Sequence, residues 1–189
     1  MLLGHSMGGA VAARFVVGGL AASSGGQMPM WFRPVDGLVL SSPALDLGLS
    51  GLQRLKLALG ASLAPHLAVG NGLNPNWISR DPAVVKAYTA DPLVHDRVTP
   101  TLVRMMVEGG ELVRQHAADW AVPTLLMWGS SDRCVAASGS AEFAAHAPAA
   151  MLRSQGFEAL AHEIFNEPEQ EQVFAQLQTW LAQRFSASV

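Results

Sequence analysis

The chain has 189 residues, half of them hydrophobic and only 14% charged, which suits one globular unit with a sizeable core and argues against disorder. A formal net charge of -3, with arginines and lysines scattered along the sequence, provides no basic face for nucleic acid and no charged tail. A single cysteine, Cys134, rules out an internal disulfide and a metal-thiolate cluster, and reads first as a small buried hydrophobe. With no uncharged apolar run of about 18 residues and no signal-like opening, a cytoplasmic protein is expected, unless a signal lies on a preceding segment.

In chain order, Met1 to Leu3 read as the end of a buried strand, and Met7 to Leu20 as a helix packed on a sheet. The apolar run Val35 to Ser41, bounded by turn residues, predicts a parallel strand covered on both faces. Ser42 to Trp120 differ in kind. They predict helices around Gln53 to Leu67, from Asp81-Pro82, and from Thr99-Pro100, and no strand. In the last of these, Leu102, Met105, Met106, Leu112 and Val113 fall on one stripe, and Gly109-Gly110 predict an interruption or kink. Val122 to Trp128 repeats the buried-strand signature, followed by a helix over Ala136 to His146, a strand over Met151 to Phe157, and a terminal helix over Pro168 to Phe185. Pro168, Glu169 and Glu171 suit the first turn of that helix. Strand and helix alternate outside the middle, so the fold class is α/β: a parallel sheet with flanking helices, formed by residues 1–41 and 121–189. Some eighty residues are far more than a crossover needs, and residues 42–120 are expected to form an inserted helical cap.

Gly4-His5-Ser6-Met7-Gly8 fits G-x-S-x-G, the strand-to-helix turn that lifts a serine hydroxyl into solvent, with glycines where side chains would strike neighbouring backbone. The pattern is weak alone and gains weight from its placement between a strand and a helix. A serine needs a histidine to take its proton, and that histidine needs a carboxylate to hold its tautomer. Asp132 follows the strand VPTLLMW, and His162 follows the strand ending at Phe157, so both lie at strand carboxyl ends. His66, His95 and His116 fall in the cap, His146 ends a helix and His5 neighbours the serine; these five read as structural or surface histidines.

GHSMGG, SPAL, WGSSDRCV and HEIFNEP, in that order, resemble the monoglyceride lipase and bacterial lysophospholipase branch of the α/β-hydrolases, in its serine-aminopeptidase-like group, from Met1 to about Leu181. The resemblance implies Ser6 as nucleophile, Asp132 as acid and His162 as base. It also implies the Met7 backbone N–H as one oxyanion donor, and a cap over an acyl-binding pocket. No metal or organic cofactor is implied. The expected substrate is a small-molecule lipid ester, lysophospholipid or monoacylglycerol, cleaved through an acyl-enzyme. The alternatives are a short-chain carboxylesterase, a thioesterase, or an inactive remnant that binds lipid. Complete members carry strands and helices before the serine turn, including the loop with the second oxyanion donor. This chain therefore corresponds to the C-terminal part of the fold, Met1 is expected to be internal to a longer protein, and residues 1–189 alone are expected to turn over esters weakly or not at all.

Other residues have simpler readings. Glu163, Asn166 and Glu167 read as caps of the terminal helix, Arg133 as an ion-pair partner, and Cys134 and Val135 as packing beneath the Asp132 loop. Met105 and Met106 either line an acyl tunnel or pack within the cap. The stretch 48–73, with only Arg54 and Lys56 charged, offers an apolar face either to the core or, transiently, to a membrane or micelle surface.

Overall fold

A computed structural model describes residues 1–23 and 29–185. Four parallel strands form one sheet in the order β1 (Leu2–His5), β2 (Leu38–Ser41), β5 (Thr124–Gly129), β6 (Leu152–Phe157). The register pairs Gly4 with Leu40, Leu40 with Leu126, and Leu126 with Ser154. All four β2 residues are buried, as expected of a strand covered on both faces.

Strand alternation sorts the core into two layers. Leu38, Leu40 and Leu126 pack with Ala13, Val16 and Val17 of α1 (Ser6–Ser23), Phe143 of α5 (Ala137–His146), and Trp120. Val39, Leu125 and Met127 face the other way, onto Val173 and Trp180 of α6 (Gln170–Phe185). Trp120 is fully buried, and its indole N–H donates to Thr124 Oγ1 at 2.8 Å, so the ring is inside without an orphaned donor.

Between β2 and β5 lie α2 (Gly51–Leu63), α3 (Pro82–Ala90) and α4 (Pro100–Gln115). Their starts follow capping chemistry. Ser50 and Gln53 form a capping box, and Asp81 and Thr99 accept from amides of the first turn, each followed by proline. α2 stops at Leu63 rather than Leu67 because Pro65 cannot continue the helical ladder. Pro168 and Glu169 form the turn before α6 and are not helical.

Two expectations are corrected. The middle segment contains a short antiparallel ladder, β3 (Val69–Gly70) against β4 (Arg97–Val98). α4 runs without interruption through Gly109 and Gly110, which are both buried. A Cβ at Gly110 would run into the Leu45 carbonyl, so this glycine admits a close approach of backbone to helix. α4 also delivers Val113 into the core beside α1, which ties the end of the middle segment to the sheet layer.

The two glycines are expected to respond oppositely to alanine. A Cβ at Gly109 meets only the Arg14 side chain at ordinary contact distance, 3.8 Å, so Gly109→Ala should gain up to about 1 kcal/mol of helix propensity. Gly110→Ala should lose about 1–3 kcal/mol because backbone must move. Urea unfolding midpoints of the two variants check this.

Candidate active site

The turn from β1 to α1 puts Ser6 at φ 53°, a left-handed conformation that is uncommon for a residue with a side chain. Its glycines are unequal. A Cβ on Gly4 would lie 2.5 Å from the Gly8 carbonyl oxygen and one on Gly9 2.8 Å from Pro43 Cβ, whereas a Cβ on Gly8 meets nothing within 4 Å. Steric need therefore holds at Gly4 and Gly9, and the expectation that both motif glycines avoid a clash is corrected for Gly8. Met7 sits in the first turn of α1, where backbone N–H groups have no intrahelical acceptor.

Asp132 and His162 are brought together. His162 Nδ1 lies 2.6 Å from Asp132 Oδ2, with both side chains almost wholly buried. A carboxylate only accepts, so Nδ1 carries the proton and Nε2 keeps its lone pair. The other carboxylate oxygen accepts from the Cys134 N–H at 2.8 Å and the Val135 N–H at 3.1 Å. Among the described residues the Ser6 hydroxyl makes no hydrogen bond; such bonds often tighten only around substrate.

His162 reaches this position because its loop folds back over the end of β5. Ser130 N–H donates to the Phe157 carbonyl at 2.9 Å and Ser131 N–H to the Leu160 carbonyl at 3.0 Å. Gly129 lies beneath the crossing, where a Cβ would strike the Leu160 and Ala161 carbonyls.

Of the two readings of His5, structural or surface, the structure supports the first, and the ring reaches this site. Its ring centroid is 4.7 Å from that of His162, and its Nδ1 is 3.1 Å from Ser41 Oγ. Burial, and then the neighbouring His162, lower its pKa to about 4, so the ring is neutral near pH 7. Its position inside the serine motif was the available signal.

Beside the serine turn opens a cavity of about 360 Å³, in the size range of ligand pockets, lined by Ser6, Met7, Leu49, Val98, Leu102 and Met106 among others. Met106 faces it, whereas Met105 is 45% exposed and lies outside the lining; of the two methionines only one meets the cavity. Cys134 and Val135 also line it. Burial, then the charges of Asp132 and Glu163, push the Cys134 thiol up to about 12. The ligand atoms of Asp132, Cys134 and His162 fall within 4.8 Å of one another, but a neutral thiol and a carboxylate already bound to imidazole are poorly prepared metal ligands. Arg133 does not serve as an ion-pair partner among the described residues; its guanidinium lies 4.9 Å from the Trp77 ring centroid.

The residues read as caps of α6 act otherwise. Asn166 Nδ2 donates to Glu163 Oε2 at 2.7 Å, closing their own turn. Glu167 is fully buried and accepts hydrogen bonds from Ser79, Arg80 and Ala161. Burial alone would raise its pKa, but these bonds, Arg80 foremost, outweigh burial and hold the carboxyl below its ordinary value.

A family profile described as Serine aminopeptidase, S33, matches residues 1–169. The monoacylglycerol lipase of Mycolicibacterium smegmatis is 33% identical over 184 residues, 96% of this chain and 61% of that protein. Phospholipase YtpA of Bacillus subtilis is 32% identical over 177 residues, 92% of this chain and 64% of that protein. The crystal structure of the Paleococcus ferrophilus monoacylglycerol lipase superposes with a TM-score of 0.83 at 28% identity, covering 97% of this chain and 68% of that one. The chain thus spans a little under two thirds of the length of these two curated relatives.

The neutral state of His5 predicts acid sensitivity. The unfolded ring protonates near 6.5 and the folded ring only near 4, so between these values the unfolded state binds more protons and stability falls as pH falls. From about pH 7 to about pH 5 the loss should be on the order of 2 kcal/mol. Glu167, whose ordinary value is 4.5 and whose folded value is lower, acts below that window. Unfolding midpoints in urea across this range should slope in the native sequence and flatten in His5→Asn.

Proposed function

The chain belongs to the serine aminopeptidase S33 family, and from that premise we propose that the protein is a serine ester hydrolase acting on a single-chain lipid, monoacylglycerol or lysophospholipid. Two observations carry the reading: the buried 2.6 Å Asp132–His162 pair, and the left-handed Ser6 on the lining of a largely apolar cavity. The similarity to the lipase and phospholipase described above supports the substrate class.

In this reading Ser6 Oγ attacks the acyl carbonyl as His162 Nε2 takes its proton, while Asp132 holds the Nδ1–H and stabilises the imidazolium. Charge developing on the carbonyl oxygen is met by the Met7 N–H. The tetrahedral adduct collapses as His162 protonates the departing alkoxide, that of glycerol from a monoacylglycerol or of the glycerophosphodiester from a lysophospholipid, leaving the acyl group on Ser6. Water, deprotonated by His162, then releases the fatty acid and restores the serine.

Residues 42–120 serve as the cap, supplying Leu102 and Met106 to the acyl chain. On α2, Leu52, Leu55, Leu59 and Leu63 recur at three- and four-residue spacing and are all exposed, Leu63 at 82%. Such a stripe beside Arg54 and Lys56 suits transient contact with a lipid surface. No helix among the described residues is long and apolar enough to cross a membrane. A cytoplasmic location is part of the same reading, and the lone cysteine is compatible with it because it calls for no oxidising compartment.

A fluorophosphonate probe is expected to label Ser6, with no labelling in Ser6→Ala. With these residues set in a complete hydrolase fold, Asp132→Asn should lower kcat by about 10⁴-fold, because the imidazole is left in the wrong tautomer. Labelling of folded protein that persists in Ser6→Ala would overturn the assignment. For the lipid-facing stripe, Leu55→Asp with Leu59→Asp should reduce vesicle binding and hydrolysis of vesicle-borne substrate while sparing a dispersed short ester.

A further inference from the structure

Glu167 is out of place for a surface carboxylate. It is fully buried, and its hydrogen-bond partners are donors from Ser79 and Arg80, nearly ninety residues away, and from Ala161, six residues away. Oε1 accepts from Ser79 Oγ and from the Arg80 N–H, each at 2.6 Å. Oε2 accepts from Arg80 Nε at 2.6 Å and from the Ala161 N–H at 2.9 Å. Ser79 and Arg80 belong to the segment that also carries α4 and the β3–β4 ladder. Ala161 immediately precedes His162. A further bond, from the Glu163 N–H to the Ile78 carbonyl at 2.7 Å, joins the same two strips of backbone on the other side of the imidazole.

We infer that Glu167 is a positioning residue for His162, a buried clasp that fixes the loop carrying the base to Ile78–Arg80 of the middle segment. This rests on the proposed role of His162 as base. The reasoning is geometric. The His162 loop leaves β6 and crosses β5, and Ala159 within it takes a left-handed φ of 61°. Bonds to Ser130 and Ser131 hold the loop to the end of β5 only as far as Leu160, short of His162. The backbone amides on both sides of His162, those of Ala161 and Glu163, are instead bonded to Glu167 and Ile78. A carboxylate suits the task because one side chain accepts four bonds at once, and charge-assisted bonds of this kind are shorter and stronger than neutral ones. Arg80 supplies the balancing charge and bonds Glu169 as well, so the ionic part of the clasp reaches the surface while Glu167 stays inside. The clasp therefore makes the seat of the base depend on where Ser79 and Arg80 sit. Movement in that segment would be felt at the Asp132–His162 bond with no direct contact to substrate.

Glu167→Gln replaces one acceptor oxygen with a donor amide beside the Arg80 and Ala161 N–H groups, which can only donate, and Arg80→Gln removes the guanidinium while leaving the backbone contacts. Two readouts separate positioning from bulk stability. The first is the ¹⁵N shifts of the His162 ring, which read whether Nδ1 holds the proton. The native protein should show the Nδ1–H form, and Glu167→Gln should drift toward the Nε2–H form that free histidine favours, with Arg80→Gln following in the same direction. The second, with these residues set in a complete hydrolase fold, is turnover of a dispersed ester, expected to fall about 10- to 100-fold in kcat with KM little changed, as for a displaced rather than missing catalytic group. A folded Glu167→Gln protein with native ¹⁵N shifts and native kcat would overturn the inference. If Glu167→Gln does not fold, the same result in Arg80→Gln would overturn it. Failure of Ser6 to take a fluorophosphonate would count against the hydrolase reading alone, since the His162 shifts test the clasp without any turnover.

Discussion

A parallel sheet gathers the carboxyl ends of all its strands on one edge, and every functional feature of this chain depends on that constraint. Ser6, Asp132 and His162 each follow a different strand, yet the register aligns β1, β2, β5 and β6 so that their ends emerge together. The strand order also sets a distance to be bridged. β1 and β6 stand three places apart, roughly 14 Å at ordinary strand spacing, more than an imidazole can reach from its own strand end. The 158–163 loop closes that gap by folding back over β5, and Gly129 gives it room. The Asp132–His162 bond is thus a consequence of a loop crossing a glycine, as much as of two suitable side chains.

The electrostatics of the rim are simple for a place with so many titratable groups. His5 stays neutral because it is buried next to another histidine, and Cys134 stays a thiol because it is buried next to carboxylates. Neither competes with His162 for a proton near neutral pH, nor adds a charge that would pull its own. Asp132 is left as the charge in direct hydrogen bond with the imidazole. Its other oxygen is occupied by two backbone amides, so the carboxylate cannot turn away. Fixed dipoles in a dry setting are worth more than the same groups in water, since they need no reorganisation when charge develops.

The parts of this arrangement that could be read from sequence are those with strong local signatures. Buried parallel strands announce themselves as short apolar runs, and Asp81-Pro82 and Thr99-Pro100 mark helix starts through capping chemistry, so these elements lie within a few residues of expectation. Asp132 follows such a run in β5, whereas His162 follows β6, a largely exposed strand, so its signal was the place after a strand and before the terminal helix. What escaped depends on partners distant in sequence. Two-residue strands such as β3 and β4 carry no periodicity. Gly109-Gly110 looked like a break because low helix propensity is visible in sequence and the Leu45 carbonyl that one of them accommodates is not. Met105 and Met106 differ by about 100° around α4, so only one turns to the cavity. Glu167 passed for a helix cap because its donors, Ser79 and Arg80, come from nearly ninety residues away.

The middle segment has to satisfy two opposed demands. Its α2 face is apolar and uncovered, which suits adaptable contact, while α4 reaches into the core with Val113 and lets the Leu45 backbone approach at Gly110. Rigid attachment of the whole segment would hold the cavity in one shape, and loose attachment of the whole would leave its Leu102 and Met106 wall without a fixed position. The structure divides the work along the chain: the end at α4 is packed into the sheet layer, the stretch at Ile78–Arg80 is bonded to the His162 loop and to Glu167, and the α2 leucines stay uncovered. Packed helices shift by discrete steps rather than by continuous deformation. Adjustment to an occupant of the cavity therefore falls most easily on α2 and the short β3–β4 ladder, while the bonds that seat His162 are kept by the part of the same segment that is tied down.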